Sequence, residues 1–213
     1  MRIFVFGDSI AYGAWDREGG WVSRLRKYVD DKILSAPEED DYYHHIYNLG
    51  ISGDISTGVL NRFHTEMNAR LLKEKDCAVV FAIGTNDSQF MFANKENKTP
   101  VAQFSANIST LITEARKYTD KIIFVGLPPV DDAKLNPIPW SPEKAFINEH
   151  VKKFDNAIRA VCKKEHVTFI DIFSVLSARD FTHILEDGVH PNDVGHSMIF
   201  EIVRDSLVNV SWI

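Results

Sequence analysis

The chain has 213 residues, of which 45% are hydrophobic and 25% charged, with a formal net charge of −6. This length holds one domain with a full core and is short for two, and the composition is that of an ordinary folded globule. The acidic balance and the lack of a basic patch argue against nucleic acid as a partner, and no apolar run approaches the roughly 18 residues needed to span a bilayer.

Ile3-Phe4-Val5-Phe6 is an unbroken apolar run, rich in β-branched and aromatic residues, as expected of a strand buried on both faces. Its start at residue 2 or 3 leaves no room for a secretory leader. Cys77 and Cys162 have no CxxC spacing and read as reduced core residues, so a cytoplasmic protein is expected. The run ends in the polar segment Gly7-Asp8-Ser9-Ile10-Ala11-Tyr12-Gly13. Trp21, Leu25, Tyr28, Val29 and Ile33 predict a first helix from about Gly20 to Leu34. Pro37-Glu38-Glu39-Asp40-Asp41 breaks it and reads as a solvated acidic loop. Ile46–Leu49 is a second strand, followed by the glycine loop Gly50-Ile51-Ser52-Gly53-Asp54. The next helix spans Ser56 to Leu72, with Val59, Leu60, Phe63, Met67 and Leu71 as its buried stripe. Cys77–Ile83 is the third strand and ends in Gly84-Thr85-Asn86-Asp87. Asn94–Pro100 reads as a surface loop, and Val101–Tyr118 as a helix. Lys121–Gly126 is the fourth strand. The proline-rich segment Leu127–Pro142, with Trp140, is expected to be stiff and is the longest candidate for a specificity loop. Ser141-Pro142 has the form of an N-cap followed by proline at the first helical position. The helix after it is expected to bury Ile147, Val151, Phe154, Ile158 and Val161. Val167–Asp171 is the fifth strand, and a last helix from near Asn192 is expected to bury Val194, Met198, Ile202 and Val203.

Short apolar strands alternating with amphipathic helices predict an α/β fold, a single domain over residues 1–213 in which helices cover both faces of a parallel sheet. The polar loops after the strands then converge on the carboxyl edge of that sheet, where open α/β sheets place their ligands. Asp187 and His190, three apart in a turn, can place a carboxylate on the imidazole Nδ1–H and leave Nε2 free as a base. Serine needs such a base to act as a nucleophile at neutral pH. If Ser9 and His190 meet in space, Ser9, His190 and Asp187 form a hydrolytic triad. Tyr12, Trp15 and Trp140 fall in or near the strand-end loops and could pack there or touch substrate, while Asp8 reads as a loop organiser.

These blocks resemble the SGNH, or GDSL-type, hydrolase superfamily over essentially the whole chain. Gly7-Asp8-Ser9 is similar to its first block, Asn48-Leu49-Gly50-Ile51-Ser52-Gly53 to its second, Gly84-Thr85-Asn86-Asp87 to its third and Asp187-Gly188-Val189-His190-Pro191 to its last. Ile10 replaces the usual leucine after the serine. The resemblance implies a flavodoxin-like three-layer sandwich of strand order 2-1-3-4-5 and hydrolysis of a small-molecule carboxylic ester. It implies Ser9 as nucleophile, Asp187 and His190 as its acid and base, and the Ser9 and Gly53 backbone N–H groups with the Asn86 amide as oxyanion hole. With no long apolar stretch near the site, short acyl groups are expected; thioesters and lysophospholipids are alternatives within the superfamily. No cofactor is expected. A non-enzymatic module cradling phosphate or FMN is the rival reading, but neither G-x-x-x-x-G-K-[ST] nor G-x-G-x-x-G occurs in the first loop. His183, Asp187, His190, Asp193 and His196 contain no HxxxH-type helical pair, and no metal is expected.

Overall fold

Strand β1 (Arg2–Gly7) takes the interior position that its apolar run demands: Ile3, Phe4, Val5 and Phe6 are all fully buried. In the computed structural model, which describes residues 1–36, 42–71 and 76–213, β1 pairs in parallel with β2 (His45–Gly50) on one side and β3 (Cys77–Ala82) on the other. Strands β4 (Ile122–Val125) and β5 (Thr168–Ile170) extend the sheet beyond β3, all parallel, giving the order 2-1-3-4-5. The acidic run Pro37–Asp41 and the predicted helix end at Leu72 lie outside the described residues.

Alternation along the strands divides the core in two. Phe4, Phe6, Val79, Phe81 and Phe124 face helices α2 (Ser56–Arg70), α3 (Val101–Ala115) and α4 (Asn148–Glu165). Ile3, Val5, Ala78, Val80 and Ile123 face α1 (Gly20–Ser35) and α5 (Asp193–Asn209). On the first face the rings of Phe6, Phe63, Phe81 and Phe124 form a continuous chain, with centroids 4.8–5.8 Å apart. Cys77 and Cys162 are buried free thiols.

Four local expectations give way to tertiary contacts. No helix begins at Ser141-Pro142; α4 starts at Asn148. Instead Ser141 bridges Ile138 and its hydroxyl donates to Glu143, while Lys144–Ala145 pairs antiparallel with Phe90–Met91. Asn94–Pro100 is not merely a surface loop, because Glu96–Asn97 forms the third strand of that small antiparallel ribbon and Thr99 is buried. Val194 is 55% exposed, and Met198 and Ile202 are only half-buried. The buried stripe of α5 is His196, Ile199, Val203 and Leu207, because His196 finds partners for both ring nitrogens, the Trp21 N–H at 3.3 Å and the Ala14 carbonyl at 3.1 Å. Helix α3 also stops short of Tyr118. There Thr119 competes for backbone groups, its hydroxyl donating to the Cys77 carbonyl at 2.7 Å and accepting the Lys121 N–H at 3.0 Å.

The register sets Gly7 beside both Gly50 and Ala82, so the first three strand-end loops leave the sheet at one level. The first two loops touch closely: a Cβ on Gly50 would lie 2.3 Å from the Tyr12 nitrogen and 2.8 Å from the Asp8 carbonyl oxygen. Backbone offers no yielding partner, so Gly50→Ala is expected to destabilise by roughly 1–3 kcal/mol through overpacking and to displace the Ser9 loop. Thermal unfolding checks this; a wild-type Tm would mean the two loops have slack.

Candidate active site

Ser9 opens a single helical turn, Ser9–Tyr12, directly after β1. Asp8 caps that turn, its Oδ1 accepting the Ile10 N–H at 2.9 Å, as its role of loop organiser requires. At the far end of the chain, Asp187 folds its own turn. Its Oδ1 accepts the Val189 and His190 N–H groups at 3.1 and 2.9 Å, and its Oδ2 accepts His190 Nδ1–H at 2.7 Å. The Glu186 N–H donates to the His190 carbonyl at 2.8 Å and closes the loop. Asn192 then caps α5 by accepting from Val194 and Gly195. With Nδ1 committed to the carboxylate, Nε2 is the acceptor, and it lies 2.9 Å from Ser9 Oγ. Residues expected to meet therefore do meet.

Asn86 and Gly53 line the same cleft as Ser9 and His190, a space of about 200 Å³ completed by Ser52, Thr85, Gln89, Trp140, Lys144, Phe146 and Val189. A chain of hydrogen bonds sets the Asn86 amide. Its Nδ2 donates to the Asp54 carbonyl at 3.1 Å, so its Oδ1 faces Gln89 and accepts from Nε2 at 3.3 Å. Its second Nδ2 hydrogen is directed at Asp8 Oδ2 at 3.5 Å, a long contact at the floor of the cleft. Gly53 has φ +79°, and nothing lies within 4 Å of where a Cβ would stand. Glycine serves the backbone conformation there, not a steric need. Arg62 clips this loop to the first, donating to Asp54 at 2.9 Å and to the Gly7 carbonyl at 3.2 Å. Asp87 anchors the third loop by accepting the Ser56 N–H at 2.9 Å and hydroxyl at 2.6 Å.

Burial and hydrogen bonding give these carboxyls opposite characters. Burial pushes Asp187 up, but the His190 side chain, the two backbone amides and the imidazole charge outweigh it and hold it well below the usual range. Burial dominates at Asp8, where the Ile10 amide and His190 offset it only partly, and lifts it to about 7. Burial also raises Asp87 and lowers His196. Among the described residues no group of three or more His, Cys, Asp or Glu side chains is placed to hold a metal ion.

The three aromatic candidates separate. Trp140 lines the cleft, Trp15 reaches the Asp187–His190 pair, and Tyr12 is exposed. Gln89, Lys144 and Phe146 had no sequence signal; Gln89 follows Asn86 by three residues in a turn, and the other two reach the cleft through the antiparallel ribbon.

The carboxyl edge of a parallel sheet here brings serine, histidine and aspartate into one hydrogen-bonded line, an arrangement shared by serine hydrolases of several folds. The family is more particular: the model of the GDSL-like Lipase/Acylhydrolase family matches residues 5–198, and the chain belongs to that family. It is 24% identical over 216 aligned residues to the isoamyl acetate-hydrolyzing esterase 1 homolog of Mus musculus, covering 93% of this chain and 78% of that protein. Its fold matches the crystal structure of the lipase/acylhydrolase from Enterococcus faecalis, with TM-score 0.74 at 23% identity over 98% of this chain and 96% of that one. It also matches Axe2, an acetylxylan esterase from Geobacillus stearothermophilus, with TM-score 0.69 at 17% identity over 97% and 93%.

Because Asp8 is raised from 3.8 to about 7 in the native state, native Asp8 keeps a proton that the unfolded chain has lost. The contribution of Asp8 to stability therefore falls as pH rises from about 4 to about 7, by about 4 kcal/mol by linkage, and is level above that. Asp8→Asn lacks this penalty. Its unfolding free energy relative to wild type, from urea titrations at pH 4, 6 and 8, is expected to grow more favourable by a few kcal/mol across the series. Parallel curves would mean that native Asp8 is ionised.

Proposed function

We propose that the chain, as one catalytic domain, hydrolyses small carboxylic esters of short acyl chain through an acyl-enzyme on Ser9. The observation that carries this reading is the line from Ser9 Oγ to His190 Nε2 at 2.9 Å and from His190 Nδ1 to Asp187 Oδ2 at 2.7 Å. His190 takes the Ser9 proton as Oγ adds to the ester carbonyl. The oxyanion is received by the Ser9 and Gly53 backbone N–H groups and by the Asn86 Nδ2 group, in place of its long 3.5 Å contact with Asp8. The imidazolium returns its proton to the departing alcohol. Water then repeats the sequence on the acyl-enzyme, freeing the acid and restoring Ser9. Asp187 stays ionised throughout, so it orients the imidazole and offsets its charge without taking the proton.

A cleft of about 200 Å³ suits a small acyl group. The acetyl esters named for the mouse relative and for Axe2 point the same way. No described helix is long and apolar enough to cross a membrane. The buried free thiols fit the expected cytoplasmic setting.

Hydrolysis of p-nitrophenyl esters from acetate to palmitate tests this. Short esters are expected to be cleaved best, and Ser9→Ala to lose at least about a thousandfold in kcat. Equal rates for both proteins would overturn the nucleophile, and a preference for palmitate would overturn the short acyl group. Asn86→Ala is expected to lower kcat by roughly 10²–10³ with little change in KM or Tm; an unchanged kcat would remove it from the oxyanion hole.

A further inference from the structure

We infer that Trp15 is a positioning residue of the triad, its indole N–H donating to the same Asp187 oxygen that receives His190. The inference rests on the reading of Ser9, His190 and Asp187 given above.

Trp15 Nε1 lies 2.9 Å from Asp187 Oδ2 and 3.1 Å from His190 Nδ1, and the indole stands edge-on to the imidazole, with centroids 5.9 Å apart at 89°. The indole nitrogen can only donate. Since Nδ1 carries the hydrogen that bonds Oδ2, the indole hydrogen must also go to Oδ2. The carboxylate is then filled: Oδ1 by the Val189 and His190 amides, Oδ2 by the imidazole and the indole. Ser9 and Trp15 belong to one loop, so this loop holds the imidazole from both ends, at Nε2 through Ser9 and at Nδ1 through the shared carboxylate.

The backbone supports a purpose beyond packing. Trp15 has φ +68°, a left-handed conformation that a bulky residue adopts only when its surroundings impose it. Both neighbours are pinned. The Ala14 N–H donates to the Ser9 carbonyl at 3.0 Å and its carbonyl accepts from buried His196. The Asp16 carboxylate accepts from the Gly20 N–H at 3.0 Å and from Arg24 at 2.8 Å. Yet Trp15 is 60% exposed, so burial does not offset the strain. What the conformation secures is the contact with Asp187.

A second donor on Oδ2 draws off carboxylate charge that would otherwise hold the imidazolium. Asp8 and His196 face His190 from the first loop and from α5. Lys144 lies across the cleft, and Glu186, Arg17 and Asp193 share the outer rim with Trp15. All of these remain when only the indole N–H is removed. Trp15→Phe therefore isolates the hydrogen bond.

In p-nitrophenyl acetate hydrolysis Trp15→Phe is expected to lose about tenfold in kcat with KM and Tm nearly unchanged. The acid limb of its kcat/KM profile is expected to move up by about half a pH unit. A wild-type kcat and acid limb in this variant, with Ser9→Ala inactive, would overturn the role of Trp15 and leave the triad standing. A change confined to KM, shared with Trp15→Ala, would make Trp15 a substrate platform instead and equally overturn it. If wild type itself cleaves no ester, the catalytic reading fails first. The ¹H–¹⁵N spectrum of the His190 imidazole then decides the contact: the Nδ1–H resonance is expected to shift in Trp15→Phe, and an unmoved resonance overturns it.

Discussion

One hydrogen bond, Ser9 Oγ to His190 Nε2, joins residues 181 positions apart, and both of its ends are held by backbone. Ser9 is fixed because β1 is buried on both sides and because its loop is wedged against Gly50. His190 is fixed because Asp187 ties the turn to itself by accepting two backbone N–H hydrogen bonds before it ever reaches the imidazole. A shift of either end by an ångström would stretch this bond beyond hydrogen-bonding reach. The rest of the fold can be understood as the means of preventing that shift.

Level registers do much of this. Gly7, Gly50 and Ala82 lie side by side, and the loops after them are then bonded to one another. Arg62 joins the second loop to the first, Asn86 joins the third to the second, and Asp87 roots the third in the start of α2. The carboxyls at this edge show how local surroundings decide ionisation. Asp187 accepts four N–H donors and stays charged, whereas Asp8 accepts the Ile10 amide and a long bond from Asn86, is buried and holds its proton to about 7.

The cleft owes its outer wall to the three-stranded antiparallel ribbon. Pairing of Phe90–Met91 with Lys144–Ala145 draws the segment after β4 over the loop after β3. That pairing brings Trp140, Lys144 and Phe146 to the site built by Ser9, Gly53 and Asn86.

The sequence by itself determined the strands, the helices that cover them, the edge at which the polar loops gather and the Asp187–His190 pair. Each of these depends on contacts within a few residues, where side-chain period and turn chemistry decide the outcome. Resemblance supplied Gly53 and Asn86, whose spacing alone was also compatible with ordinary turns. Tertiary structure alone decided the matters that depend on distant partners. Ser141-Pro142 has a sound local capping signal, but strand pairing with Phe90–Met91 claims the backbone that follows. Val194 yields the core to His196 because Trp21 and Ala14, far away in the chain, satisfy the imidazole. The contact of Trp15 with Asp187 spans 172 positions and needs a left-handed backbone at Trp15, for which the side chain has no preference of its own.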